Sequence, residues 1–368
     1  MAEDLTIDGQ PAQPPPVEES SESDYEWREA IKKWPAVPPG LPNRKFECYR
    51  NVILVMLFHT PLLVNRLDKV HRYGANCKCL ACRFHELFNQ FWQKRRPEKF
   101  NDALRTFWED TVPRNEDMDG PSNEWLYDQQ DAQEYLASLL SRLTEDETGR
   151  RAIFNLPKIQ RWPFSYCSEC KLITERQMGC LPDSQLKYMI ITMINREVEE
   201  QKRSSDLISL EEALADGLRH KRSTQMCGNC NASTNRIEGA PLRSGPLLLF
   251  VRIFIWSSRF RLQLDPYATI SVYPKPDKDR DEVQYVYYEL YGVIFHESHN
   301  LPGGHYHGGF LGPEGKWAHF NDDISSPCSL EGLQEMQTDT TKVSLLAYRK
   351  LGAVKTKIDA EQGKTSKS

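Results

Sequence analysis

A cysteine, Cys48, stands immediately before the apolar run Tyr49 to Phe58, and histidines flanked by glycine lie near the far end of the chain. A sulfur at a helix N-terminus meets backbone N–H groups and the positive end of the helix dipole, which favour thiolate over thiol. Gly303-Gly304-His305-Tyr306-His307-Gly308-Gly309 offers bases where glycines allow a substrate backbone to approach, and Trp317-Ala318-His319-Phe320-Asn321-Asp322-Asp323 offers groups to orient one. A cysteine, a histidine and an Asn or Asp form the constellation that activates a thiol for attack on a carbonyl. Spacing alone leaves His305 and His307 equivalent, with His296 and His299 close by. The plainer reading of Cys48 is a small buried hydrophobe, because free cysteine is among the most buried residue types.

Two further groups of cysteines read as metal ligands. Cys167-Ser-Glu-Cys170 and Cys227-Gly-Asn-Cys230 are C-x-x-C knuckles, and two such pairs supply the four thiolates of a tetrahedral structural zinc. Their separation requires strands and a helix between them, so the metal would clasp distant segments. A second cluster runs from His71 through Cys77, Cys79 and Cys82 to His85. It suits a Cys₃His site built on Cys79 and Cys82 with one or both of Cys77 and His71, or else it is a patch of reduced thiols on a loop before a helix beginning near Phe84.

The elements that must hold these groups change character along the chain. From Cys48 to about Leu143 apolar residues recur at helical spacing, with Tyr135, Leu136, Leu139 and Leu140 forming one face of a helix that starts after Asp131. From about Phe164 short β-rich runs take over: Tyr188–Ile194, Leu247–Trp256, Thr269–Tyr273, Val283–Phe295 and Val343–Tyr348. One helix interrupts them, N-capped by Ser209 with Glu212 as its capping-box partner. The fold class is α+β, a helical lobe followed by a mainly antiparallel sheet.

Composition bounds the rest. With 39% hydrophobic and 27% charged residues in 368, the chain can build a substantial core but carries polar ends. Residues 1–36 read as a disordered acidic tail, 37–350 as the folded domain and 351–368 as a Lys/Ser-rich disordered tail. The net charge of −5, from 47 Lys and Arg against 52 Asp and Glu, argues against a nucleic-acid partner. The first residues lack a basic region followed by an apolar stretch, so no secretory leader is expected. No apolar stretch reaches the roughly 20 residues that span a bilayer, so no membrane partner is expected. Ten cysteines should then meet reducing conditions, in the cytoplasm or the nucleus, where paired thiols bind metal rather than form disulfides.

Taken together, segments from about Gly40 to Lys350 resemble the ubiquitin-specific protease family, papain-like cysteine deubiquitinases with a fingers, palm and thumb architecture. Gly40-Leu-Pro-Asn43 through Cys48-Tyr-Arg-Asn51 resembles the cysteine box G-L-x-N-x-G-N-T-C-Y-x-N, Asp128-Gln-Gln-Asp-Ala-Gln-Glu-Tyr-Leu resembles Q-x-D-A-x-E-F-L, and Gly304-His305-Tyr306 with Trp317 to Asp322 resembles the histidine box. The resemblance implies Cys48 as nucleophile, His305 as base, Asn321 as its orienter, Asp322 as an auxiliary and Asn43 as oxyanion donor. It implies Asp131 and Glu134 as partners of the arginines in ubiquitin's tail. It also implies structural zinc on Cys167, Cys170, Cys227 and Cys230 at the fingertips. The implied reaction is hydrolysis of the bond after the C-terminal glycine of ubiquitin on ubiquitinated proteins, with a protein-complex partner possible. Lys45-Phe46-Glu47 departs from the family's G-N-T, and Val55 replaces a glutamine usual in the first helix. The glycine position calls for a backbone that lysine adopts poorly, and a carboxylate facing the thiol raises its pKa. The alternative reading is therefore a ubiquitin-binding homologue in which Cys48 is inert.

Overall fold

The computed structural model describes residues 37–43, 45–70, 79–93, 96–112, 128–145, 147–153, 156, 160–161, 164–167, 169–170, 173–175, 190–194, 207–208, 210, 221–223, 226–227, 229–231, 236–239, 242–254, 261–272, 282–298, 303–312 and 315–357. Expectations for His71, Cys77, the acidic tail and all of the Ser209 helix except Leu210 lie outside these residues.

The helical lobe comprises α1 (Cys48–Phe58), α2 (Pro61–Val70), α3 (Leu80–Phe91), α4 (Phe100–Thr111), α5 (Ala132–Leu143) and α6 (Glu147–Ile153). α1 is buried on every side, as a helix apolar all round must be. The face Tyr135, Leu136, Leu139 and Leu140 of α5 is buried as its spacing predicts. α3 begins at Leu80 rather than near Phe84, because the Cys79 sulfur caps it by accepting the Cys82 N–H at 3.5 Å.

The sheet region begins with β1 (Gln160–Arg161), β2 (Phe164–Cys167), β3 (Ile173–Glu175), β4 (Ile190–Ile194), β5 (Leu207–Ile208), β6 (Lys221–Ser223), β7 (Arg236–Gly239) and β8 (Leu242–Ser244). It continues through β9 (Leu248–Phe254), β10 (Arg261–Leu262), β11 (Tyr267–Val272), β12 (Glu282–Glu297), β13 (His305–Leu311), β14 (Trp317–Asn321), β15 (Ile324–Cys328) and β16 (Thr341–Lys357). Eight of them form the main sheet, ordered β15-β14-β13-β12-β16-β9-β4 with β11 also on β12. It is antiparallel except where β4 lies parallel to β9. β12 and β16 pair along almost their whole lengths through three register shifts, which bend and twist the long ribbon. A separate four-stranded antiparallel sheet, β3-β2-β7-β6, carries the knuckles at its turns.

Two corrections concern the C-terminal part. β16 runs through Lys357, well into the stretch expected to be a disordered tail from residue 351, because its last residues pair with Glu282 to Tyr287 of β12. A short helix α7 (Leu330–Glu335) also follows β15, capped by the Ser329 hydroxyl, where only strands were expected.

The two faces of the sheet are covered separately. One packs on the helical lobe, where α1 crosses β13. The other packs around Leu333 of α7 with Ile270, Phe295 and Leu346. Successive glycines let both layers close onto β13. A Cβ on Gly308 would lie 3.0 Å from Val52 of α1, and one on Gly309 would lie 2.3 Å from Leu333.

Candidate active site

α1 begins at the cysteine, and β13 begins at the histidine. Cys48 is buried at the N-terminus of α1, and His305 opens β13 beneath it. The imidazole hydrogen-bonds the Cys48 side chain, while its Nε2 lies 2.6 Å from Asn321 Oδ1 at the end of β14. With Nε2 committed to Asn321, Nδ1 is the nitrogen left to serve the sulfur. Asp322 Oδ2 stands 3.8 Å from the same Nε2. The bond to Cys48 above all, then Asn321, the Cys48 charge and the Asp322 carboxylate, raise the His305 pKa from 6.5 to about 9 against the opposing effect of burial.

The neighbouring histidines behave oppositely. His307 Nδ1 and His319 Nε2 are 2.9 Å apart, and burial together with the two other histidines pushes His307 down to about 3. His319 and His296 are also lowered, chiefly by burial. Geometry therefore separates His305 from His307, which spacing could not.

Asp322 is held in the left-handed region, φ 53, and gathers several groups. Its backbone oxygen accepts the Leu41 N–H at 2.7 Å, and its carboxylate accepts Asn43 Nδ2 at 2.7 Å and Asn51 Nδ2 at 2.8 Å. Gly40 passes so close that a Cβ there would sit 1.8 Å from the Asp322 carbonyl oxygen. Asn43 Oδ1 in turn accepts the N–H groups of Lys45 at 3.0 Å and Glu47 at 3.2 Å.

The departures from the cysteine box take a shape different from the expectation. Lys45 does not need a glycine-like backbone: among the described non-glycine residues only Asn231 and Asp322 have positive φ. The Glu47 carboxylate turns back onto its own loop, accepting the N–H groups of Lys45 at 2.8 Å and Phe46 at 3.1 Å.

Gln129 was not singled out from the sequence, although it lies in the quoted motif ahead of α5. Its Nε2 lies 3.6 Å from Cys48 Sγ and also donates to the Gly304 carbonyl, while its Oε1 accepts the Gly304 N–H at 2.7 Å. Two positions further on, Asp131 caps α5 through the N–H groups of Gln133 and Glu134 and pairs with Arg252 at 3.3 Å. Glu134 is exposed one turn into the helix.

At the turns of the four-stranded sheet, the sulfurs of Cys170, Cys227 and Cys230 lie within 4.8 Å of one another, with Cys170 and Cys227 3.8 Å apart. Thiolates at about 2.3 Å from a tetrahedral zinc stand about 3.8 Å from each other, so these donors fit that ion. Cys167 ends β2 in register with Arg236 of β7, two residues' reach from the turn that carries Cys170. Cys48, Cys79, Cys82, Cys170, Cys227, Cys230 and Cys328 form no disulfide.

A family model described as ubiquitin carboxyl-terminal hydrolase matches residues 39–348. Ubiquitin C-terminal hydrolase 22 of Arabidopsis thaliana is 28% identical over 137 residues, 34% of this chain and 23% of that protein, so the chain spans less than a quarter of this curated relative. A solved SAGA DUB module of Ubp8, Sgf11, Sus1 and Sgf73 bound to monoubiquitin is similar with a TM-score of 0.62 at 17% identity, covering 88% of this chain and 70% of that one. The same module bound to ubiquitin aldehyde gives 0.62 at 18%, again covering 88% and 70%. The likeness is one of fold: a papain-like α+β domain with a helical thumb, an antiparallel palm and a fingers sheet.

Proposed function

The chain belongs to the ubiquitin carboxyl-terminal hydrolase family, and from that premise we propose that it is a deubiquitinating thiol hydrolase that cuts the isopeptide or peptide bond after the C-terminal glycine of ubiquitin. The observation that carries this is the chain of contacts from Cys48 through the His305 ring to Asn321 Oδ1 at 2.6 Å, the order of nucleophile, base and orienter that acyl transfer to sulfur requires.

In this reading His305 takes the Cys48 proton and the thiolate attacks the glycyl carbonyl. The raised His305 pKa favours the imidazolium, the form that later protonates the leaving amine. The Asn43 amide and the Cys48 backbone N–H receive the oxyanion, the tetrahedral adduct collapses to a thioester as His305 protonates the leaving amine, and water then releases ubiquitin. Asp322 holds Asn43 from behind. Asp131 and Glu134 meet the arginines of the ubiquitin tail, Asp131 by exchanging its pairing with Arg252. Cys170, Cys227, Cys230 and Cys167 hold a structural zinc that closes the fingers; Cys79 and Cys82, with Cys77 and His71, hold a second ion. Ubiquitin and ubiquitinated proteins are the partners, together with subunits of a complex, as in the assembled Ubp8 modules. Closely spaced thiols that form no disulfide suit the cytoplasm or the nucleus.

A ubiquitin probe with a thiol-reactive C-terminal warhead tests the reading. Covalent capture by the full chain should occur at Cys48, vanish in Cys48→Ala and slow strongly in His305→Ala. Binding without capture would instead establish the inert homologue.

A further inference from the structure

We propose that Glu47 is a positioning residue for Asn43, and that its carboxylate does here what a glycine-containing turn does ahead of the nucleophile elsewhere. The inference rests on the deubiquitinase reading above.

The loop between Asn43 and Cys48 is tied by two acceptors that share a donor. The Lys45 N–H reaches both Asn43 Oδ1 at 3.0 Å and Glu47 Oε2 at 2.8 Å, the Phe46 N–H adds a bond to Glu47 Oε2 at 3.1 Å, and the Glu47 N–H closes on Asn43 Oδ1 at 3.2 Å. Glu47 is itself anchored to the catalytic helix, because its carbonyl accepts the N–H groups of Arg50 at 2.9 Å and Asn51 at 2.8 Å at the start of α1. The carboxylate therefore transmits the position of α1 to the loop ahead of it. An ionised acceptor binds N–H groups roughly twice as strongly as a neutral one, which suits a loop whose Lys45 is exposed and has little packing to hold it.

The consequence falls on the amide of Asn43. Its oxygen faces two backbone donors and its nitrogen faces the Asp322 carboxylate at 2.7 Å. Flipped, the amide would oppose donor to donor and acceptor to acceptor at both ends, so only one orientation is bonded. That orientation points the NH₂ group toward the side of the site where Asp322 and His305 stand. Without Glu47 the Lys45 and Phe46 N–H groups lose their shared acceptor, and the loop that fixes the oxygen end of Asn43 loosens. The Glu47 carboxylate thus uses its Oε2 as the acceptor for two backbone N–H groups of its own loop.

The test is steady-state hydrolysis of ubiquitin-7-amido-4-methylcoumarin by the full chain, comparing Glu47→Ala, Glu47→Gln, Asn43→Ala and the double variant Glu47→Ala/Asn43→Ala, with unfolding midpoints measured in parallel. Misplacing a reactive group by about 1 Å costs up to about 100-fold, so Glu47→Ala should lower kcat by roughly 10- to 100-fold with KM unchanged. Glu47→Gln, whose amide oxygen still accepts both N–H groups, should recover most of that loss. Since the effect passes through Asn43, adding Glu47→Ala to Asn43→Ala should cost little more. An unchanged kcat in Glu47→Ala, a rise in kcat, or the full Glu47→Ala loss reappearing on the Asn43→Ala background would each overturn the proposal while leaving the deubiquitinase reading intact. Absence of turnover by the unaltered chain would overturn both.

Discussion

His305 and His307 stand two residues apart on β13, and their surroundings drive them in opposite directions, to about 9 and to about 3. His305 gains Cys48 and Asn321; His307 gains burial and a second imidazole. A histidine raised above its ordinary 6.5 contributes stability that is fully present below 6.5 and is lost as pH climbs through about 9. Because the Cys48 bond is the largest cause, the His305 ring in Cys48→Ala should titrate at lower pH by NMR, and the alkaline decline in stability should shrink with it. An unchanged titration would place the cause elsewhere. The depressed histidines act with the other sign. His59 at the end of α1, fully buried against Phe310 and Trp92, is held near 4 and is neutral in the fold. Its contribution is present above 6.5 and lost as pH falls toward 4, on the order of 3 kcal/mol. His307 extends the same loss lower, so unfolding midpoints should drop steeply between pH 6.5 and 4, and His59→Phe should flatten that slope.

At the scale of elements, the site depends on a strap, residues 37–43, that crosses from the helical lobe to the β14–β15 turn. The Arg96 guanidinium donates to the carbonyls of Pro39 and Gly40, Ser325 donates to Pro38 O at 2.8 Å, and Leu41 bonds Asp322 O at 2.7 Å. Gly40→Ala would place a methyl against backbone that no rotamer change can relieve. It should cost about 1–3 kcal/mol, the usual range for overpacking, and lower turnover further by displacing Asp322 from Asn43. A variant with native stability and rate would show that the strap is passive. The strap also marks how far the sequence could be read. Helices such as α5 were legible because Tyr135, Leu136, Leu139 and Leu140 repeat at the period of the face they bury. The ends of α3 and β16 were not, since Cys79 acts as a cap and the last residues of β16 gain their order from β12, contacts that composition does not encode. Cys48, His305 and Asn321 were legible through the family's boxes. Gln129 and the turned-back Glu47 were not, because a side chain bonded to a backbone 175 residues away, or to its own loop, leaves no pattern in the spacing.

For the whole molecule, the question is how two sheets with separate supports serve one reaction. The main sheet is buried on both faces by the helical lobe and by the cluster around Leu333. The four-stranded sheet carries the cysteine knuckles at its turns, where Cys227 is buried and Met226 beside it is 62% exposed. The sulfurs of Cys170 and Cys227 come from positions 57 residues apart, and a metal joining such segments would convert binding energy into folding energy. The purified chain should therefore carry zinc, and Cys170→Ser or Cys227→Ser should release it. Loss of the ion should loosen the fingers alone, seen as faster amide exchange in β2, β3, β6 and β7 with β12 and β16 still protected. Since the proposed ligands Cys170, Cys227 and Cys230 form a cluster that includes neither Cys48 nor His305, alkylation of Cys48 by a small reagent should proceed at an unchanged rate. Hydrolysis of a ubiquitin substrate should instead suffer through KM, because what is lost is a surface that grips a folded protein and not the chemistry at its tail. A fall in Cys48 alkylation together with kcat would mean that the fingers and the palm unfold as one unit.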